Sequence, residues 1–423
     1  LRKRGLEPSQ ENIEQTIRDN KLKRNNYVKK FVDLLDTLEG PWTIALDARW
    51  GAGKTFFVKQ VKYVLDEDEN QDDLIEGMAV EKSFKTVYYD AWQHDAEGRD
   101  PLLSILDSMV TGSLFDKEEL IAKHRAIVSA ISKLIIHQDL SKEIDELFET
   151  KSSSPNLEFK KGLENLLSNI SNDRIVIFID ELDRCRPSFA VELLERIKHF
   201  FNHDKLTFVF SVNLIELKKT IQHFYGTDFD GDRYVDRFFD LVCSLPEPDV
   251  ETYLEMQGVE NNSLNKLYQY LASYFSLSIR ELDHLIFQND LATDLISRQA
   301  WIGVNPYMWV RKTLVQGLSP YLITLRMTDR DEFESVISGN GLESFQKCQM
   351  GNKVFLATLC DEEKIPDDIL DLLKKLYDGL FNSNGQNDIR ISEKMVIPSP
   401  LILRKLIIDS ITLVSEYTEY KYG

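Results

Sequence analysis

Apolar residues fall along the chain in two rhythms, and the change between them comes near position 250. Before it, short and nearly continuous apolar runs alternate with stretches whose apolar residues recur three and four positions apart. Residues 42–47 (WTIALD), 86–89 (TVYY), 174–180 (RIVIFID) and 206–212 (LTFVFSV) are rich in strand-forming residues and predict strands. The last two are apolar almost throughout, which suits strands covered on both faces. Residues 54–65, 188–201 and 214–224 carry helical spacing instead. Strand and helix in alternation predict an α/β core, a mostly parallel sheet with helices on both faces. Residues 102–170 interrupt it with a mainly helical insertion.

Beyond Val250 the strand signal fades. Residues 264–274, 279–286, 329–337 and 367–377 read as helices, with Thr328 at capping-box spacing before Asp331. The expected organisation is a helical segment over 1–40, an α/β core over 41–249, and a helical C-terminal domain over 250–423 acting as a lid or interaction surface. Composition breaks mark the joints. The acidic run at 66–73 (DEDENQDD) predicts a surface loop, and 151–155 (KSSSP) a linker. Residues 245–249 (LPEPD), with prolines at 246 and 248, mark the exit from the core. Gly339-Asn340-Gly341 and Asn384-Gly385 are turn signals.

The first predicted strand runs straight into residues 48–55 (ARWGAGKT), and a predicted helix begins at Lys54. Strand, glycine-containing loop and helix form the setting of a phosphate-binding P-loop. Backbone N–H groups must curl around a phosphate, so glycine is needed where the chain turns tightly. The helix N-terminus adds free donors and partial positive charge. Lys54 would reach the β- and γ-phosphates, and the Thr55 hydroxyl would bind Mg²⁺. Nucleotide contacts are expected from Trp50, Gly51, Ala52, Gly53, Lys54, Thr55 and Phe56. Ala48 stands where the general pattern has glycine, a departure that ordinary backbone angles would tolerate.

The third strand ends in Asp180-Glu181. An aspartate at the carboxyl end of a buried strand beside the P-loop strand can hold Mg²⁺, and the adjacent glutamate can polarise a water for attack on the γ-phosphate. The fourth strand ends at Asn213, either a sensor between water and γ-phosphate or a helix cap. Residues 232–241 (DRYVDRFFDL) read as a helix that places Arg233 and Arg237 on one face. Each is either an arginine finger for a neighbouring subunit or a partner of Asp236 or Asp240. Arg280 opens a helix of the C-terminal domain, as a nucleotide contact from a lid or as a surface residue.

The formal net charge of −19 opposes nucleic acid and anionic lipid. Short basic clusters, such as Lys21–Arg24, read as solvated helix faces. The four cysteines lack CxxC spacing, which argues against a zinc site or disulfide framework and fits a reducing, cytoplasmic setting. His199 and His203 lie four apart, yet they read as favourable charges at a helix end rather than as metal ligands. No apolar run approaches the roughly 18–20 residues of a membrane span, and no signal-peptide core is present.

Four stretches resemble the KAP family of P-loop NTPases. Residues 48–55 are similar to its GxWGxGKT, with Trp50 at the tryptophan. Residues 89–92 (YDAW), followed by Pro101-Leu102-Leu103, resemble its NAW segment, and 180–185 (DELDRC) its extended Walker B hexapeptide. Residues 233–239 (RYVDRFF) resemble its YLEKIFQ-like segment, with Arg237 in place of a lysine, and 277–282 (LSIREL) match its SxRE-like helix weakly. The resemblance implies ATP hydrolysis coupled to conformational switching or to assembly with protein partners or further copies of the chain. For soluble bacterial members it implies defence against bacteriophage. A nucleotide-gated scaffold with little turnover is the second expectation, and a nucleic-acid-dependent ATPase the third. Trp92 reads as core packing, Asp183 and Arg184 as a local ion pair, and Cys185 as a small buried hydrophobe.

Overall fold

The computed structural model describes residues 7–20, 23–67, 71–98, 100–112, 114, 155–246, 249–259, 263–297, 308–360, 368–383, 388–390, 396–397 and 400–419. The chain divides into two compact units, Glu7–Glu247 and Pro248–Gly423.

The first unit is built on a five-stranded parallel sheet. Its strands are β1 (Trp42–Asp47), β2 (Phe84–Asp90), β3 (Arg174–Asp180), β4 (Leu206–Val212) and β5 (Leu241–Ser244), in the order β2-β3-β4-β1-β5. β3 and β4 are buried at every position, as their apolar runs require. One face is covered by α1 (Gln10–Arg18), α2 (Asn25–Thr37) and α3 (Lys54–Asp66), with α1 and α2 packed on α3 and α3 on the sheet. Phe31 and Phe57 meet edge-on there, ring centroids 5.8 Å apart. The two N-terminal helices therefore share a compact unit with the sheet. The other face packs Ile175, Ile177, Ile179, Phe208 and Phe210 against helices 101–111, 155–168, 187–200 and 214–225. Alternate residues of β3 thus serve two cores, which is why the run is apolar throughout.

Local expectations change at several places. Residues 232–241 are not one helix: α-helix spans Gly231–Asp236, and Leu241 opens β5, an edge strand paired to β1. Asp66 is the last helical residue of α3 and accepts from Thr86 Oγ1 rather than lying in a loop. Pro155 begins a helix, while 151–154, like much of the insertion and Asn384-Gly385, lies outside the described residues. His203 lies beyond the helix that carries His199, which ends at Phe200.

The second unit is helical. Ile279–Ser297, Met308–Thr328 and Pro400–Glu419 pack on one another, and the only strands among the described residues of this unit form a two-stranded pair, Ile389–Arg390 with Val396–Ile397. The cap at Arg330–Ile337 is Asp329, which accepts from Glu332 N at 2.9 Å, and not Thr328. A reciprocal capping box does form at Ser278 and Glu281. Gly339 turns with φ +88°. Among the described residues, no helix is long and apolar enough to cross a membrane.

Candidate nucleotide site

The carboxyl edge of the sheet gathers the chemistry. β1 ends at Asp47, and the loop after it takes φ +80° at Gly51 and +81° at Gly53 before α3 starts at Lys54. Only glycine enters that region without cost, so the two glycines shape the cradle. Ala48 is not among the residues with positive φ, and its N–H extends the β1–β4 pairing to Val212 O. Alanine at this position is therefore unstrained. Lys54 is buried, with Nζ donating to Ala48 O at 2.8 Å and Arg49 O at 3.3 Å. Burial pulls the pKa of its ammonium below the ordinary value, against the upward pull of Asp183, Glu181, Asp180 and Asp47. Thr55 is half-buried in the first turn, and Phe56 turns into the core.

Asp180 and Glu181 arrive from β3, yet β3 is not beside β1. β4 lies between them, with Asp180 level with Ser211 and Asp47 level with Val212. Two strand spacings separate the acidic pair from the loop by about 10 Å, room for phosphates and a hydrated ion. Asp180 is 1% exposed; its Oδ2 accepts from Tyr88 OH at 2.8 Å and its Oδ1 from Glu181 N at 3.0 Å. Glu181 itself adopts φ 60°, ψ 24°, a left-handed conformation that costs a non-glycine residue about 1–2 kcal/mol. Strain of this kind concentrates at functional sites. Its carboxyl pKa is raised by burial and then by the neighbouring Asp180 charge.

Asp183 and Arg184 do not pair with each other among the described contacts. Asp183 Oδ2 accepts from Trp50 Nε1 at 2.5 Å and from Asn213 N at 3.1 Å, tying the loop, the acidic turn and the end of β4 together. Arg184 pairs with Glu181, and its guanidinium lies 5.6 Å from the ring centre of Trp92. Trp92 is 52% exposed, so it is not core packing; an arginine covers the ring that the interior was expected to cover. Cys185 is buried, and burial raises its thiol pKa. Asn213 caps the helix Leu214–Tyr225, its Oδ1 accepting from Glu216 N.

Arg233 and Arg237 lie elsewhere in the first unit. Asp240 N donates to Thr43 O, and Lys198 Nζ to Arg237 O, which puts Arg237 toward the amino edge of the sheet, opposite the loop. Its guanidinium sits 4.7 Å from the Tyr234 ring centre. Arg233 pairs with Asp230, while Asp236 pairs with Lys218 and Asp240 with Thr43, so neither expected intrahelical pair forms. Arg280 is exposed in the second unit.

The donor set fits a hard cation held partly by ligand oxygen. Among the described residues, no three His, Cys, Asp or Glu side chains close around one point. Mg²⁺ characteristically keeps waters and phosphate oxygens and takes only one or two protein ligands, which Asp180 and the Thr55 hydroxyl would supply. The Asp183 Oδ1 and Ser211 Oγ atoms are buried without a partner at this edge, so polar capacity is left for a bound group.

Two further residues belong here that local pattern did not reveal. Tyr88 orients the Asp180 carboxylate. Arg24, read as part of a solvated cluster, is 3% exposed and donates to the loop carbonyl of Ala52.

A glycine cradle with a buried lysine, opening a helix and facing an acidic pair across the sheet edge, defines a P-loop nucleotide-binding domain. A family model described as the KAP family P-loop domain matches residues 24–274, more than half of the chain, and the chain belongs to that family. No curated protein matches it. Among solved structures it is similar to PCH-2 of C. elegans, at 10% identity and a TM-score of 0.22, covering 84% of this chain and 70% of that one. A likeness of that degree carries no argument.

Proposed function

We propose that the chain binds ATP with Mg²⁺ and hydrolyses it. The observation that carries this reading is the strained Glu181, whose carboxylate joins those of Asp180 and Asp183 in the field of the buried Lys54 ammonium. Lys54 and the loop amides would hold the β- and γ-phosphates, and bound Mg²⁺ would neutralise charge on their oxygens. Glu181 would take a proton from water as the water oxygen bonds to the γ-phosphorus. The bond to the bridging oxygen then breaks, and ADP and phosphate leave.

One contact supports the second reading, a nucleotide-gated binder with little turnover: Arg184 engages the very carboxylate that would act as base. A single-turnover assay with the purified chain separates the two. Phosphate release that requires Mg²⁺ supports hydrolysis, whereas tight ATP binding without release over hours leaves only the gated binder. Arg184→Ala tests the restraint. An exposed or half-buried ion pair is worth up to about 1 kcal/mol, so freeing Glu181 should raise turnover by at most roughly fivefold. A fall in turnover would assign Arg184 to the reaction instead.

A further inference from the structure

We propose that Arg24 is a positioning residue for phosphate binding, one that sets the direction of the Gly53 amide; this rests on the P-loop reading above. Arg24 stands at the N-terminus of α2, its backbone fixed by Tyr27 N and Val28 N, which donate to its carbonyl. Its guanidinium runs inward and Nη2 donates to Ala52 O at 2.9 Å and to Pro246 O at 3.2 Å. Two carbonyls, one in the loop and one just past β5, thus fix a single planar group.

The peptide between Ala52 and Gly53 is planar and trans, so its C=O and N–H point in opposite directions. Arg24 holds the carbonyl. The Gly53 N–H is thereby turned away from Arg24, to the side where a phosphate oxygen would lie. A peptide free to flip would present a carbonyl to that oxygen, replacing attraction by repulsion. Gly53 meets two demands at once: φ +81°, and a flank where an added Cβ would stand 3.1 Å from Arg24 Nη1. The guanidinium is planar with its donors fixed in a fork, so it holds both carbonyls in one geometry, as a single ammonium on a flexible stem would not.

Lysine at position 24 would keep the charge and lose the fork. ADP, which carries the β-phosphate that the loop amides enclose, should bind Arg24→Lys about tenfold more weakly. AMP, which lacks that phosphate, should bind within about twofold of wild type. Val28→Ala is the control: Val28 is buried in the same helix, and its loss should lower the melting temperature without changing ADP affinity. Titration of ADP and AMP into the three proteins, with Lys54→Ala beside them, reads the result. Wild-type ADP affinity in Arg24→Lys, or equal losses for ADP and AMP, overturns the positioning role. Wild-type ADP affinity in Lys54→Ala would instead remove the loop assignment itself. Should Arg24→Lys melt too readily to titrate, Arg24→Gln replaces it with the same two ligands. A loss for ADP but not AMP supports the role, and wild-type affinity for ADP overturns it.

Discussion

Glu181→Gln should bind ATP at least as tightly as wild type and lose about 10²–10⁴ in turnover, the range that a positioned general base contributes. Glutamine keeps the size and planarity of the side chain and removes only the proton acceptor. The backbone strain at φ 60° is shared by both residues, so the substitution should leave the melting temperature in place. Removing one negative charge beside the triphosphate site, among Asp180 and Asp183, should tighten ATP binding slightly rather than weaken it. Parallel measurement of phosphate release and ATP affinity checks the prediction. Turnover at the wild-type rate would dismiss Glu181 as the base. Equal losses of affinity and turnover would make it a binding residue. The Arg184 contact sharpens the test, because a neutral glutamine amide cannot form an ion pair: if that pair restrains the base, Arg184→Ala should change nothing once Glu181→Gln is in place.

The elements that sequence pattern revealed are those whose burial is decided locally. β3 and β4 are covered on both faces, so each writes a nearly continuous apolar run, and the glycines of the loop are demanded by positive φ at Gly51 and Gly53. Strand order was not legible. Parallel strands are joined by crossovers, and nothing within RIVIFID states that LTFVFSV will lie between it and WTIALD. β5 was hidden because an edge strand of four residues, alternately half-buried and exposed, has no apolar run to display. At the site, the residues with a local signature were placed by spacing alone. Arg24 had none: its burial depends on carbonyls 28 and 222 positions away, which no local window contains. Tyr88 resembled any strand aromatic until β2 was seen paired to β3, which brings its hydroxyl to Asp180. Asp183 failed for a related reason. Its neighbour Arg184 is the obvious partner in sequence, but the short 3₁₀ turn after Glu181 sends the two side chains apart, one to Trp50 and the other to Trp92.

Lys54→Ala carries the largest expected effect on binding. The ammonium is the positive group drawn toward four carboxylates, those of Asp183, Glu181, Asp180 and Asp47. A triphosphate entering without it would bring several negative charges against that cluster with only backbone amides and Mg²⁺ to offset them. Truncating one partner of a buried, hydrogen-bonded charge pair costs about 2–5 kcal/mol, so affinity for both ATP and ADP should fall by about 10²-fold or more. The free protein should behave otherwise. Its lysine is buried against two carbonyls, and removing a desolvated charge relieves part of the cost of placing it there, so the unliganded melting temperature should stay close to wild type. The discriminating quantity is the rise in melting temperature that nucleotide produces. Ligand at a hundredfold excess over its Kd adds about 2.7 kcal/mol of stability, and a rise of several degrees is then expected in wild type. Lys54→Ala, with ligand then near its own Kd, should keep at most about 0.4 kcal/mol of this, a rise of about a degree or less at the same concentration. An equal rise in both proteins would mean that the phosphates bind somewhere other than this loop, and the roles given to Gly53, Thr55 and Arg24 would fall with it.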